Sequence, residues 1–145
     1  MRINFRRLIV LAILGLAAVP HLSWAGDDYL VIAHSSSGAD ALASQALSDI
    51  FLKKTKTWPD GASVTPVDQV SRSPVRGKFS LAIHKKPLGA IKAYWNKLIF
   101  SGKGTPPQEL GTDAEIIAFV MATPGAIGYV DPSTNTSGVK VIAVH

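Results

Sequence analysis

Cysteine is missing from all 145 residues. That excludes disulfide staples, thiolate metal sites and thiol nucleophiles, so a folded domain must hold together by its core. Other chemistry-bearing patterns are missing too. No H-E-x-x-H occurs, and His34, His84 and His145 have no spacing that would gather a metal ion. No serine lies in G-x-S-x-G, which removes the hydrolase elbow. The SGKGT stretch at 101–105 fails as a phosphate-binding loop, because the glycine required at position 97 is Lys97 and Pro106 and Pro107 stand where a helix should begin. His34 and Ser35 are adjacent, so on a strand they point to opposite faces and make no catalytic pair. With no activated nucleophile, paired carboxylates or metal cluster, the sequence points away from an enzyme and implies no cofactor.

Charge is also scarce once the amino terminus is set apart. Arg2, Arg6 and Arg7 form a basic leader, LIVLAILGLAAV follows as an apolar run, and Ser23-Trp24-Ala25 offers small residues at a cleavage site. The pattern predicts a signal peptide over residues 1–25 and a single domain over 26–145, exported to the periplasm. The run is short for a membrane span of about 20 residues. Losing three of the fifteen basic residues lowers the formal net charge from +5 to +2. The basic field that would suggest nucleic acid therefore belongs mostly to the leader. Trp58, Tyr94 and Trp95 read as core and loop anchors, since basic residues do not interleave with them as in a base-stacking platform.

What is present reads as alternating strands and helices. YLVIAH (29–34) suits a strand buried on both faces. The turn SSSGAD follows, and a helix is expected from Ala41 on the spacing of Leu42, Ala46, Ile50 and Phe51. VTPVD (64–68) reads as a strand whose proline favours an edge or terminal position. A short helix opens at Ser73 with Val75, Phe79 and Ile83 on one face. Another carries Leu88, Ile91, Trp95, Leu98 and Ile99, and glycines and prolines stop it. Thr112 and Glu115 form a capping box for a third, ended by Pro124-Gly125. AIGYV (126–130) and VKVIAV (139–144) complete the strands. Irregular alternation of this kind predicts an α/β fold, with helices packed on a mixed sheet.

One helix start breaks the usual charge rule. Ser73-Pro74 is an ordinary opening, yet Arg76 and Lys78 fall in the first turn and Arg72 precedes it, where the helix dipole disfavours cations by about 0.3–1 kcal/mol at exposed sites. A bound anion would resolve the conflict. The plain alternative is that Ser73 caps the helix while the cations point into water. The serines at 35–37, between a strand and a helix, are a second candidate for oxyanion binding, though serine and glycine also serve simply to make a tight turn.

The order DIFLKKTKTWPDG, VTPVD with SPVRGKF, AYWNKLIFSGKGTPP and VMATPGAIGYV resembles the short, exported relatives of the phosphate-binding proteins of ABC transporters, from about Tyr29 to Val144. The resemblance implies one lobe of a type II periplasmic-binding-protein-like fold, a mixed sheet flanked by helices, without catalytic activity. Full-length members have two lobes, and the length here suffices for one. Where those members carry an Arg-Ser-Asp-Gly-Ser-Gly-Thr phosphate loop, this chain has DQVSRSPVRGKF. By position and chemistry the implied ligand residues are Ser71, Arg72, Ser73 and Arg76, helped by Ser35, Ser36 and Ser37. The implied partners are inorganic phosphate or a similar oxyanion and a second lobe-like chain or membrane permease, with no nucleic acid. An interaction or accessory role at the cell envelope, with solute binding lost, is the competing expectation.

Overall fold

The computed structural model describes residues 28–145. The leader expected over residues 1–25 lies outside the described residues. The elements are β1 (Leu30–Ala33), β2 (Ala41–Leu42), α1 (Ser44–Phe51), β3 (Thr65–Gln69), α2 (Pro74–Phe79), α3 (Leu88–Phe100), β4 (Gln108–Leu110), α4 (Asp113–Ala122), β5 (Ala126–Val130) and β6 (Lys140–Val144). A π turn over Ser80–His84 continues α2. The strands form one mixed sheet in the order β2-β6-β1-β5-β3-β4.

The central strands are apolar at consecutive positions because both faces of the sheet are covered. Val31 and Ala33 of β1 with Ile127 and Tyr129 of β5 pack against Leu47, Ile50 and Phe51 of α1 and Val75 and Phe79 of α2. On the other face, Ile32, Val67, Ala126 and Val130 pack against Ile116 and Val120 of α4. Gly128 lets α4 come close: a Cβ there would stand 2.9 Å from Ile116 and 3.0 Å from Val67. The expected α/β architecture, one lobe with a mixed sheet flanked by helices, is the one observed.

Three local expectations change. The helix predicted from Ala41 starts at Ser44, because Ala41 and Leu42 are drawn into parallel pairing with Ala143 and Val144 of β6. The amide of Ser44 then donates to the carbonyl of His145 at 2.8 Å, which satisfies one of the helix's orphan donors. β3 lies inside the sheet between β5 and β4, but Pro66 is only its second residue, and pairing with β4 begins at Val67, so the missing N–H is tolerated. β4 itself lies between the helix stop at 101–107 and the capping box at Thr112, in a stretch for which the sequence predicts no element.

The capping box at α4 forms as expected, with Thr112 Oγ1 accepting from the Glu115 amide at 3.2 Å and Glu115 accepting from the Thr112 amide at 2.9 Å. Ser73 does not cap α2 with its side chain.

Candidate functional site

β3, β4 and β5 run parallel to one another, so their carboxyl ends lie together at one margin of the sheet, where ligands of open α/β folds collect. From that margin the chain turns into α2 after β3, into α4 after β4, and into the Asp131–Ser133 loop after β5. These turns enclose an open recess of about 550 Å³, bordered by Gln69, Arg72, Ser73, Thr112, Asp113 and Asp131.

Beneath the recess is a buried polar network that begins at two consecutive polar residues of β3. Gln69 is 2% exposed. Its amide nitrogen donates to Asp113 Oδ1 at 2.8 Å and to the Tyr129 carbonyl at 2.9 Å, and its amide oxygen accepts from Ser73 Oγ at 2.5 Å. The hydroxyl of Ser73 is thus committed to the floor of the recess instead of the helix amides. Asp68 accepts from Tyr129 Oη and from the Gln69 amide and faces Arg76 Nη2 at 3.2 Å. Burial pushes the Asp68 carboxyl upward, against the pull of the Arg76 guanidinium and the Tyr129 hydroxyl. Burial and the neighbouring Asp68 push Tyr129 well above the ordinary phenol range.

Arg76 is the hub of this network. It is 4% exposed, and its Nη1 donates to the Gln69 carbonyl at 2.5 Å and to Glu109 Oε1 at 2.5 Å. Its charge is therefore compensated inside the protein by Asp68 and Glu109. Lys78 turns outward and pairs with Asp28 at 3.0 Å. The mismatch seen in the sequence is resolved for these two cations by carboxylates from other parts of the chain.

Arg72 and Ser73 do reach the recess, while Ser71 and Arg76 are not among its lining residues. Arg72 is exposed, and among the described residues no carboxylate lies within ion-pair distance of it. Ser35, Ser36 and Ser37 are elsewhere. β1 runs antiparallel to β5, and β5 parallel to β3, so the turn after β1 emerges level with Thr65 while Ser71 lies past Gln69. The two candidate groups occupy opposite margins of the sheet, on the order of 15 Å apart at about 3.3 Å per strand residue.

The carboxylates of the recess were not foreseen. Asp113 accepts from Gln69, from the Asp131 amide at 3.1 Å and from Thr134 Oγ1 at 2.7 Å. Asp131 accepts from the amide and hydroxyl of Ser133, and these bonds hold its carboxyl below the usual range. The available signal was Asp68 with Gln69, two consecutive polar residues at and just past the end of the strand expected over 64–68.

Comparison with known proteins gives this geometry a family. A profile described as the PBP superfamily domain matches residues 20–141. The chain belongs to the PBP superfamily. Among curated proteins nothing matches. Solved structures similar to this PBP lobe include a protein from Clostridium perfringens, described as a phosphate ABC transporter substrate-binding protein and crystallised with bound phosphate. It is 19% identical, with a TM-score of 0.63 over 80% of this chain and 44% of that one. An ABC-type phosphate transport receptor from Vibrio cholerae is 12% identical, with a TM-score of 0.64 over 80% of this chain and 45% of that one. PstS from Borrelia burgdorferi is 15% identical, with a TM-score of 0.57 over 81% of this chain and 47% of that one. The PBP lobe thus spans less than half the length of each of these structures, and at such identities the likeness is one of fold.

Proposed function

We propose that this PBP lobe is an exported, non-enzymatic solute-binding module of the periplasm that holds phosphate or a similar oxyanion at the carboxyl margin of β3, β4 and β5. The observation that carries the reading is Arg72, an exposed guanidinium at a recess bordered by the hydroxyls of Ser73 and Thr112, in a fold shared with phosphate-binding proteins of ABC transporters. Arg72 is the charge partner. The hydroxyls of Ser73 and Thr112 already donate to Gln69 Oε1 and Glu115 Oε2, so toward the ligand they act as acceptors for a protonated oxygen, and Ser71 stands outside the lining. Arg76 acts from below by fixing β3 and α2.

Asp113 and Asp131 border the same recess, so a protonated, singly charged oxyanion suits it better than a dianion. An open face also leaves the ligand partly in water, where charged hydrogen bonds gain less than in a closed cleft. Binding by this lobe alone is accordingly weak, at a Kd of about 1 mM or above, and tightens only if a second lobe-like chain or a permease covers the recess.

Phosphate titration of wild type and Arg72→Gln by NMR tests this. The amides of 71–73, 75 and 111–113 should shift with wild type, and the variant should bind at least about fivefold more weakly, as for the loss of a charged hydrogen bond. Equal affinities, or shifts confined to other residues, would remove the recess as the site.

A second reading has its own observation. Phe100 is 90% exposed beside Ile99 at 48%, and apolar surface of this kind marks contacts between proteins. If phosphate fails to bind, an envelope accessory protein that has lost solute binding is the reading that remains.

A further inference from the structure

A larger cavity lies at the opposite margin of the sheet, near the amino end of β3. It measures about 790 Å³ and runs from the end of α1 and the 55–65 loop, past the carboxyl-terminal half of α3, to the start of β4. One wall is apolar, with Tyr94, Trp95 and Leu98 of α3 facing Phe119 of α4. Lys53, Lys56 and Lys103 also line it, and none of its lining residues is a carboxylate. The recess at the other margin, by contrast, sets Arg72 against Asp113 and Asp131.

The frame of this cavity is tied on two sides. Lys53 holds a left-handed backbone (φ 53°) that turns the chain out of α1, and its Nζ donates to the Pro106 carbonyl at 3.3 Å. Tyr94 Oη donates to the Leu52 carbonyl at 3.0 Å, fastening α3 to the end of α1. Among the described residues no carboxylate lies within ion-pair distance of Lys56 or Lys103. Their ammonium groups have no internal partner to satisfy, unlike Arg76 and Lys78.

We propose that this cavity is a second binding site, specific for small amphipathic organic anions, with an aromatic or aliphatic body against Tyr94, Trp95 and Leu98 and a carboxylate or phosphate head at Lys56 and Lys103. Its volume falls in the range of small-molecule sites, about 300–1,000 Å³. Three cations without a facing carboxylate select the sign of the head group. The aromatic wall distinguishes such a ligand from a bare inorganic ion, since apolar burial adds only for a ligand with a body. The site is independent of the phosphate reading and shares no residue with it.

The test uses phenyl phosphate as the probe, with inorganic phosphate and benzyl alcohol as the single-feature controls, followed by amide NMR on the chain lacking the leader. Phenyl phosphate should shift the amides of 53–56 and 103–105 and bind at least about tenfold more tightly there than either control, because head and body contribute together. Lys56→Gln with Lys103→Gln should weaken it about tenfold, in line with two partly exposed charge contacts. Both lysines are exposed and lie outside the core, so the fold should be kept, which circular dichroism checks. Arg72→Gln should leave phenyl phosphate binding at this cavity unchanged. An absence of shifts at 53–56 and 103–105, equal binding of the controls there, or a double variant that binds there like wild type would each overturn the proposal.

Discussion

Arg76→Met is the sharpest test of how this lobe is held together. The substitution keeps most of the side-chain volume, so little cavity is left, but it removes the cation from Asp68 and Glu109. The Arg76 side chain is 5% exposed and that of Asp68 10%, whereas Glu109 is 39% exposed and can turn to water. The loss therefore concentrates on Asp68, left with only the Tyr129 hydroxyl and the Gln69 amide. Breaking a buried ion pair by removing one partner costs about 3–5 kcal/mol. For a domain of this size that corresponds to a melting temperature lower by roughly 12–20 °C.

The deficit must also depend on pH in a definite direction. Burial already raises the Asp68 carboxyl, and without Arg76 it rises further. A carboxyl whose folded pKa exceeds its unfolded value contributes stability below the unfolded pKa, and that contribution is lost as pH rises through the folded pKa. Urea unfolding should therefore show a larger deficit at about pH 8 than at about pH 5, where the lone carboxyl takes up a proton. Asp68→Asn in the Arg76→Met background should recover part of the loss and flatten the pH profile. A single-variant loss below about 1 kcal/mol, typical of exposed pairs, or a deficit equal at both pH values, would refute the assignment of Arg76 to an internal network.

Two further outcomes follow from the packing. Burial, with smaller contributions from Arg76 and Lys54, holds the His84 pKa down to about 4 from 6.5, and the ring pairs with Ser48 Oγ at 2.8 Å. A histidine with a depressed folded pKa takes up protons more readily when unfolded, so its contribution to stability is present above 6.5 and is lost as pH falls toward 4. NMR titration of the His84 ring should show a midpoint well below the ordinary value, and one near 6.5 would contradict its burial. Gly128→Ala drives a methyl group against Ile116 and Val67 between α4 and the sheet, and should cost about 1–3 kcal/mol in urea unfolding; a change within about 0.5 kcal/mol, as at surface sites, would mean that α4 can move away.

Local pattern carried the elements whose stability is local. The capping box at Thr112 announced α4, the continuous apolar runs announced β1 and β5, and the shared face of Leu88, Ile91, Trp95 and Leu98, three and four residues apart, announced α3. Elements that exist only because a distant segment meets them were not legible. β2 is two residues long and forms against β6 about a hundred residues later, and β4 forms against β3 without an apolar signature of its own.

The same division governs the candidate site. By itself the sequence determined the helix start at Ser73 and the three cations around it, because proline placement and dipole charge are properties of a few consecutive residues. Only the tertiary structure decided where those cations go. Strand direction sent the Ser35–Ser37 turn to the far margin, and the meeting of β3, β4 and α2 brought Asp68 and Glu109 onto Arg76, leaving Arg72 at the recess. The Coulomb energy of a charge is set by its distance to partners and by their shared burial, and neither quantity exists until segments remote along the chain have packed together.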